Sequence, residues 1–179
     1  GKIDKDDIGI IGNAQPKLSF GFNNTFTIFD FDLNIFWQGV SGNDIYNQNR
    51  IRRETYSSDA FPTSTVMKNH WTPENPTSDI PAATNSSSNR VISSRIIEDG
   101  SYLRLKNVTV GYTFPAKLVK KWKIDKARVY VAAQNLWTCT GYSGYDPEVS
   151  VRNSALTPGL DYSSYPRAYS ISFGVSLGF

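Results

Sequence analysis

Residues 167–179 read Arg-Ala-Tyr-Ser-Ile-Ser-Phe-Gly-Val-Ser-Leu-Gly-Phe. From Tyr169 onward an apolar residue occupies every odd position, and serine or glycine occupies every even one. Because successive side chains of a strand point to opposite faces, this pattern predicts a strand with one apolar face and one small or polar face. A strand of this length exceeds the usual five or six residues of soluble proteins. It reaches the ~9–11 residues that cross a membrane.

The same alternation recurs upstream. With the last segment it predicts five strands, at about 17–27, 30–39, 101–114, 125–135 and 167–179. In the third strand the phase changes near Asn107, so that Arg104 and Lys106 share the parity of the apolar residues that follow. All nine prolines fall outside the five segments, as hydrogen-bonded strands require.

The connections between these strands alternate in length. A tight turn at Ile28-Phe29 and the compact link Pro115–Ile124 contrast with the long loops 40–98 and 136–166. Outer-membrane barrels have short turns on one side and long external loops on the other. Five strands cannot close a barrel, and open edges are not tolerated in hydrocarbon. We therefore predict an all-β fold, a transmembrane antiparallel β-barrel of which this chain is one part.

Composition excludes several other classes of protein. The single cysteine allows no internal disulfide framework, and the single histidine removes most His-dependent catalysis and His-rich metal sites. A net charge of +3 is too small and scattered to indicate nucleic-acid binding. Asp146 and Glu148 are the nearest approach to a catalytic carboxylate pair, but a loop does not fix the separation that glycoside hydrolysis needs. We predict no enzymatic activity, no metal and no cofactor.

Several segments, in this order, resemble the C-terminal end of SusC-like (SusC/RagA) TonB-dependent outer-membrane receptors. They are Pro16–Thr25, Phe31–Gly39, Gly42–Tyr46, Ile97–Pro115, Val129–Leu136, Gly141–Glu148, Ser164–Arg167 and the terminal Phe179. The resemblance implies a 22-stranded barrel with an N-terminal plug, of which this chain would be the last five strands.

The resemblance also implies a function and partners. Such receptors import glycans, peptides or other nutrients across the outer membrane of Gram-negative cells, with energy delivered by the TonB complex. The plug and the TonB contact belong to an N-terminal part that is missing from this sequence. The implied partners are a SusD-like lipoprotein lid, the barrel-assembly machinery and outer-membrane lipid, and receptor–lid pairs often form dimers.

Aromatic residues and carboxylates in the long loops are candidates for contact with the ligand or the lid. Aromatic rings cover apolar C–H faces while carboxylates accept hydrogen bonds from hydroxyls or amines. The same residues would alternatively brace the loops. These candidates are Trp71, Trp137, Tyr142, Tyr145, Asp146, Glu148, Tyr162 and Tyr165.

A second set of aromatic residues lies near the predicted strand ends, where membrane-interface girdles occur. The set comprises Trp37, Tyr102, Tyr112, Phe114 and Trp122; ordinary core aromatics are the alternative. Four lysines in the link Pro115–Ile124 would meet anionic headgroups or form a solvated turn. We expect Arg104 and Lys106 to lie above the hydrocarbon, facing lipopolysaccharide.

The last strand carries a third candidate role. Its aromatic residues Tyr169, Phe173 and Phe179 resemble the signal read by the barrel-assembly machinery; a strand that packs in a core is the alternative. The physical basis is edge pairing, because an exposed strand offers unpaired N–H and C=O groups.

Two other functions remain compatible with the residues. A soluble β-sandwich carbohydrate-binding or adhesion module would use the aromatic loops as its site, but needs about seven strands. A structural barrel anchor without transport would differ only in lacking a plug.

Overall fold

The computed structural model describes residues 5–56, 63–84, 90–150 and 157–179, which form two compact units. The sheet unit contains residues 17–41, 101–141 and 166–179, and the loop unit contains the rest. The strands are β1 Leu18–Ile28, β2 Phe31–Ser41, β3 Asp44–Asn47, β4 Ile97–Asp99, β5 Tyr102–Thr113, β6 Lys126–Thr140, β7 Leu160–Asp161 and β8 Ser170–Gly178. The α-helices are α1 Gln48–Glu54 and α2 Ala116–Val119; short 3-10 turns cover Lys5–Asp7, Thr65–Asn69, Ser94–Ile96 and Lys120–Trp122.

The sheet unit is one antiparallel sheet with the strand order β1-β2-β5-β6-β8. At one end, the turn end, Phe29 takes a left-handed conformation (φ 53°) between β1 and β2. At the same end Pro115 precedes α2, where its fixed φ suits a helix start. The opposite, loop end holds the end of β2 and the start of β5. The sheet is not closed, because β1 and β8 each pair with only one of the described strands.

One face of this sheet, the apolar face, is a continuous apolar surface. Cross-strand pairs such as Phe22–Trp37, Val110–Val131 and Val131–Phe173 place the apolar residues of all five strands on the same side. Large side chains of this face remain exposed, Phe173 by 80%. A soluble monomer rarely exposes so large an apolar patch, whereas a membrane-facing sheet requires one.

The opposite, polar face carries hydrogen-bonded side chains. Asn34 donates to Asn23 Oδ1 and Thr25 Oγ1, both at 2.9 Å. Near the turn end Arg128 binds Asp32, with Nε 2.8 Å from Oδ1. A Cβ at Gly111, between these strands, would lie 2.4 Å from Arg128 Nη2, so the glycine leaves the room that this ion pair occupies.

The phase change in β5 is a β-bulge, and it corrects one expectation. The register passes from Phe36–Asn107 to Trp37–Leu105, which leaves Lys106 as the extra residue. Leu105 thereby stays on the apolar face and Arg104 turns to the polar face. Arg104 is only 2% exposed, and its Nε donates to Thr138 Oγ1 at 3.0 Å. The expectation that Arg104 faces lipopolysaccharide was therefore wrong.

Strand β6 extends to Thr140, five residues beyond its predicted end. The register on β6 also shifts at this point, and Asn135 absorbs the irregularity in a left-handed conformation (φ 54°). Pairing then resumes with Leu105 opposite Trp137. Trp137 is consequently a strand residue of the apolar face, and not a loop residue as the sequence suggested.

The loop unit contains a second, small sheet where the sequence predicted only long loops. Its order is β4-β3-β7, with β3 antiparallel to β4 and parallel to β7. This sheet joins residues from both long loops and satisfies their buried backbone groups. Across the described part of the chain, no helix is long and apolar enough to span a bilayer.

Candidate functional site

The loop unit has a small buried core that fixes the first of the candidate residues. Ile45 in β3, Tyr142 and Val149 pack together, and the Tyr142 hydroxyl donates to Asp161 Oδ2 at 2.5 Å. Tyr142 is only 5% exposed. Its predicted role as a ligand or lid contact is not what the structure supports, because its ring and its hydroxyl are both used inside the unit.

A buried ionic network fixes α1. The carboxylate of Glu54 accepts from Arg50 Nε at 3.0 Å and from Arg95 Nη1 at 2.7 Å, so it links α1 to the segment preceding β4. Burial lowers the pKa of Arg95, although the nearby charge of Glu54 acts in the opposite direction. Burial also disfavours the charged form of Arg50. There the hydrogen bond and the charge of Glu54 outweigh burial and raise the pKa of Arg50. These ion pairs are largely removed from water, which makes the loss of one partner costly.

A second carboxylate joins the two long loops. Glu98 in β4 accepts from the backbone N and the Oγ of Ser143, each at 2.8 Å, and from Asn47 Nδ2 at 2.9 Å. Arg50 Nη1 lies 3.5 Å from Glu98 Oε1. The side chain of Glu98 therefore binds residues of both long loops, Asn47 in one and Ser143 in the other.

Asp146, another predicted contact residue, is also buried and structural. Its Oδ1 accepts from the backbone N of Glu148 at 2.9 Å, which is the geometry of a side-chain-stabilised turn. Asp146 was predicted to contact the ligand or the lid, but like Tyr142 it is buried and its side chain is not accessible to either. Among the described residues no three His, Cys, Asp or Glu side chains group as a metal site would require.

The remaining loop aromatics are exposed and separate. Tyr162 lies beside Arg52, whose guanidinium carbon is 5.9 Å from the ring centre and whose Nη1 is 3.3 Å from the hydroxyl. Tyr145 is 81% exposed, and Trp71 and Tyr165 are also exposed. Within the described residues no ring-to-ring contact joins these four aromatics. They stay predicted contact residues, together with the half-buried Glu148.

The loop unit also has a groove that the sequence did not predict. It has a volume of about 370 Å³ and an apolar lining that includes Ile10, Ile11, Ile97 and Leu160. The run of isoleucines before β1, at positions 8, 10 and 11, was the available signal. Periodicity within strands does not reveal it, because the lining comes from segments that are distant along the chain.

Aromatic side chains gather at both ends of the apolar face. At the turn end the ring centres of Phe31 and Tyr112 lie 4.7 Å apart, and those of Tyr112 and Phe114 lie 5.2 Å apart. Trp122 is exposed at the same end. At the loop end Trp37 meets Trp137 edge to face at 6.1 Å. Trp137 therefore joins the predicted interface set.

Tyr102 does not belong to that interface set. It is buried on the polar face, its hydroxyl accepts from Gln38 Nε2 at 3.3 Å, and the guanidinium of Arg104 lies 5.4 Å from its ring centre. Tyr102 and Val108 are an even number of residues apart but lie on opposite faces, because the bulge at Lys106 shifts the alternation by one residue. The three residues of the predicted assembly signal, Tyr169, Phe173 and Phe179, are exposed in or beside β8.

We expect Tyr142→Phe to change how the stability of the loop unit depends on pH. Burial and the hydrogen bond to Asp161 raise the pKa of Tyr142 well above the ordinary tyrosine value of about 10. The neutral phenol is thus favoured in the folded state. Its contribution to the free energy of unfolding is complete below about pH 10 and declines above that pH, by up to about 1.4 kcal/mol per pH unit. The measurement is hydrogen exchange of the full-length receptor in detergent between pH 8 and 11, in which the protection of the loop unit should fall less steeply with pH in Tyr142→Phe. Tyr145→Phe is the matched control; an unchanged slope in Tyr142→Phe would contradict the assignment.

Comparisons with known proteins found relatives over the whole length of this chain. The chain is 37% identical to "TonB-dependent receptor P3" of Formosa agariphila and 27% identical to "TonB-dependent receptor SusC" of Bacteroides thetaiotaomicron, in each case over its whole length. It spans 18% and 17% of these relatives. No family model matches.

Solved structures give the same result for the fold. The chain matches a chain of the RagAB peptide transporter with a TM-score of 0.83 at 25% identity, covering 99% of this chain and 19% of that one. The "closed-closed" state of the RagAB peptide importer gives a TM-score of 0.80, covering 100% and 20%. The open five-stranded sheet accordingly matches one segment of a receptor β-barrel, which confirms both the predicted fold class and the resemblance.

Proposed function

Since the chain is a homologue of one segment of the SusC-like TonB-dependent receptors, we propose that it forms part of an outer-membrane barrel that imports a nutrient. The observation that carries this proposal is the exposed apolar face, backed by a polar face with hydrogen-bonded side chains. A lipid-facing wall with a wet inner side has this composition. A soluble β-sandwich would cover the apolar face with a second sheet.

Such a barrel would work with partner proteins. The resemblance implies a SusD-like lipoprotein over the external loops and a TonB complex acting through the rest of the receptor. Exposed Trp71, Tyr145, Tyr162 and Tyr165 suit contact with a ligand or with this lid. The related RagAB complex is a peptide importer, and SusC-like receptors also include glycan importers, so the imported nutrient is a peptide or a glycan.

We propose a role in transport and not in catalysis, because in the candidate pair Asp146 and Glu148 the carboxylate of Asp146 is buried and accepts from the backbone N of Glu148. The exposed residues Tyr169, Phe173 and Phe179 are proposed to guide β8 to the barrel-assembly machinery. Pairing of receptors with lids into dimers fits the same resemblance and is part of the proposal.

The test uses the full-length receptor in its native cell. We expect tagged receptor in the outer-membrane fraction, co-purifying with one surface lipoprotein, and loss of growth on either a peptide mixture or a polysaccharide when the receptor gene is deleted. Deletion of the TonB gene should produce the same growth defect. Recovery of the receptor in the soluble fraction, or normal growth of both deletion strains on every nutrient tested, would overturn the proposal.

A further inference from the structure

Between Ala127 and Ala133, strand β6 has only small side chains on the apolar face. These side chains are Ala127, Val129, Val131 and Ala133. Larger residues rise on both sides, Phe31 and Tyr112 on one and Phe173 on the other. The result is a groove of about 460 Å³ with a floor of valines, which we call the trough.

The trough has room for part of a hydrocarbon chain. On β6 its lining runs from Val129 to Val131, a strand advance of about 7 Å, which lies within the half of the ~30 Å hydrocarbon core that one leaflet contributes. The trough is lined by side chains that carry no charge, and the valines of its floor are partly exposed. Only an apolar, elongated occupant gains from burying such a surface.

Positive charge is concentrated at the end of the sheet toward which the trough runs. Four exposed lysines of the link that precedes β6 lie there: Lys117, Lys120, Lys121 and Lys123. No ion pair involves them within the described ranges, and the local carboxylates are fewer, since Asp32 is bound to Arg128 and only Asp30 and Asp125 remain. Strand β6 begins at Lys126, three residues or about 10 Å before Val129, and Lys126 itself lies on the polar face with Arg128.

We propose that the trough and these lysines form a binding site for an anionic diacyl phospholipid. Part of one acyl chain lies in the trough, and the phosphate meets the lysines at the turn end. The inference rests on the membrane location given under the proposed function. A soluble anion would contact the lysines alone. A lipid would in addition bury its tail in the adjoining apolar trough. Trp122, exposed beside Lys121, fits the interface level between tail and headgroup.

The site is tested by native mass spectrometry of the full-length receptor in detergent, with added phosphatidylglycerol or phosphatidylethanolamine. We expect phosphatidylglycerol to bind about five- to tenfold more tightly, since each lysine near a headgroup contributes a factor of about five. The triple variant Lys120→Gln, Lys121→Gln, Lys123→Gln should remove the preference. The double variant Val129→Trp, Val131→Trp should weaken both lipids by filling the trough. Matched controls are Lys17→Gln, at the loop end, and Ile28→Trp, on the apolar face outside the trough.

Each other outcome overturns the inference. Equal binding of the two lipids by the unaltered receptor removes the role of the lysines. Wild-type binding by the double tryptophan variant removes the role of the trough, as does competition by soluble glycerol phosphate at the concentration of the lipid. A receptor that reaches the outer membrane and imports its nutrient without lipid preference refutes this site alone; a receptor absent from the membrane refutes the proposed function.

Discussion

Val131→Arg is expected to block accumulation of the folded receptor in the outer membrane. Val131 lies near the middle of β6, on the apolar face between Val110 and Phe173. An arginine at the bilayer midplane of a transmembrane barrel costs about 2–4 kcal/mol. The measurement is the amount of heat-modifiable receptor in outer-membrane fractions, followed by the unfolding free energy of whatever folded protein can be purified.

The control for this prediction is the next residue along the strand. Ala132 points to the polar face, where its cross-strand partners Thr109 and Ser172 are small enough to leave room for a longer side chain. Ala132→Arg should therefore accumulate at close to the wild-type level. If Ala132→Arg is lost while Val131→Arg accumulates, the two faces have been assigned the wrong way round.

Glu54→Gln is expected to open the loop unit without affecting assembly of the barrel. The substitution leaves Arg50 and Arg95 without the carboxylate that binds both of them. Removing one partner from a largely buried ion pair costs about 3–5 kcal/mol. In the full-length receptor, we expect faster limited proteolysis between residues 42 and 100, with unchanged heat modifiability of the barrel.

Glu74→Gln provides the matched control, because Glu74 is exposed in the same loop and has no ion pair with a described residue. Its cleavage rate should equal that of the unaltered receptor. Equal cleavage of Glu54→Gln and Glu74→Gln would show that the buried network does not hold α1 in place. Loss of the barrel in Glu54→Gln would show that the loop unit is required for assembly.

The five long strands could be predicted from the sequence because alternation is a local property. In β8 the position of a residue in the alternation is enough to assign its side chain to one face, and the partner strand need not be known. The bulge is different. The parity of Arg104 revealed that the phase changes, but only pairing with Phe36 and Trp37 identifies Lys106 as the extra residue. The faces of Arg104 and Tyr102 were therefore misread.

The loop residues could not be sorted by sequence because their burial depends on distant contacts. Tyr142 and Tyr145 are the same residue type, three positions apart in one aromatic loop. Tyr142 is buried because its hydroxyl donates a hydrogen bond to Asp161 and its ring packs with Ile45, whereas Tyr145 faces solvent. Sequence pattern alone treats the two residues as equal candidates.

The parallel pairing of β3 with β7 ties together two chain excursions that are far apart in sequence. Glu98 adds a second tie by binding Ser143. Neither excursion can then be exchanged alone, because the β3–β7 pairing and the Glu98–Ser143 hydrogen bonds need residues of both. A chimaera meant to transplant nutrient preference between two such receptors would have to carry residues 42–100 and 142–165 as a single cassette.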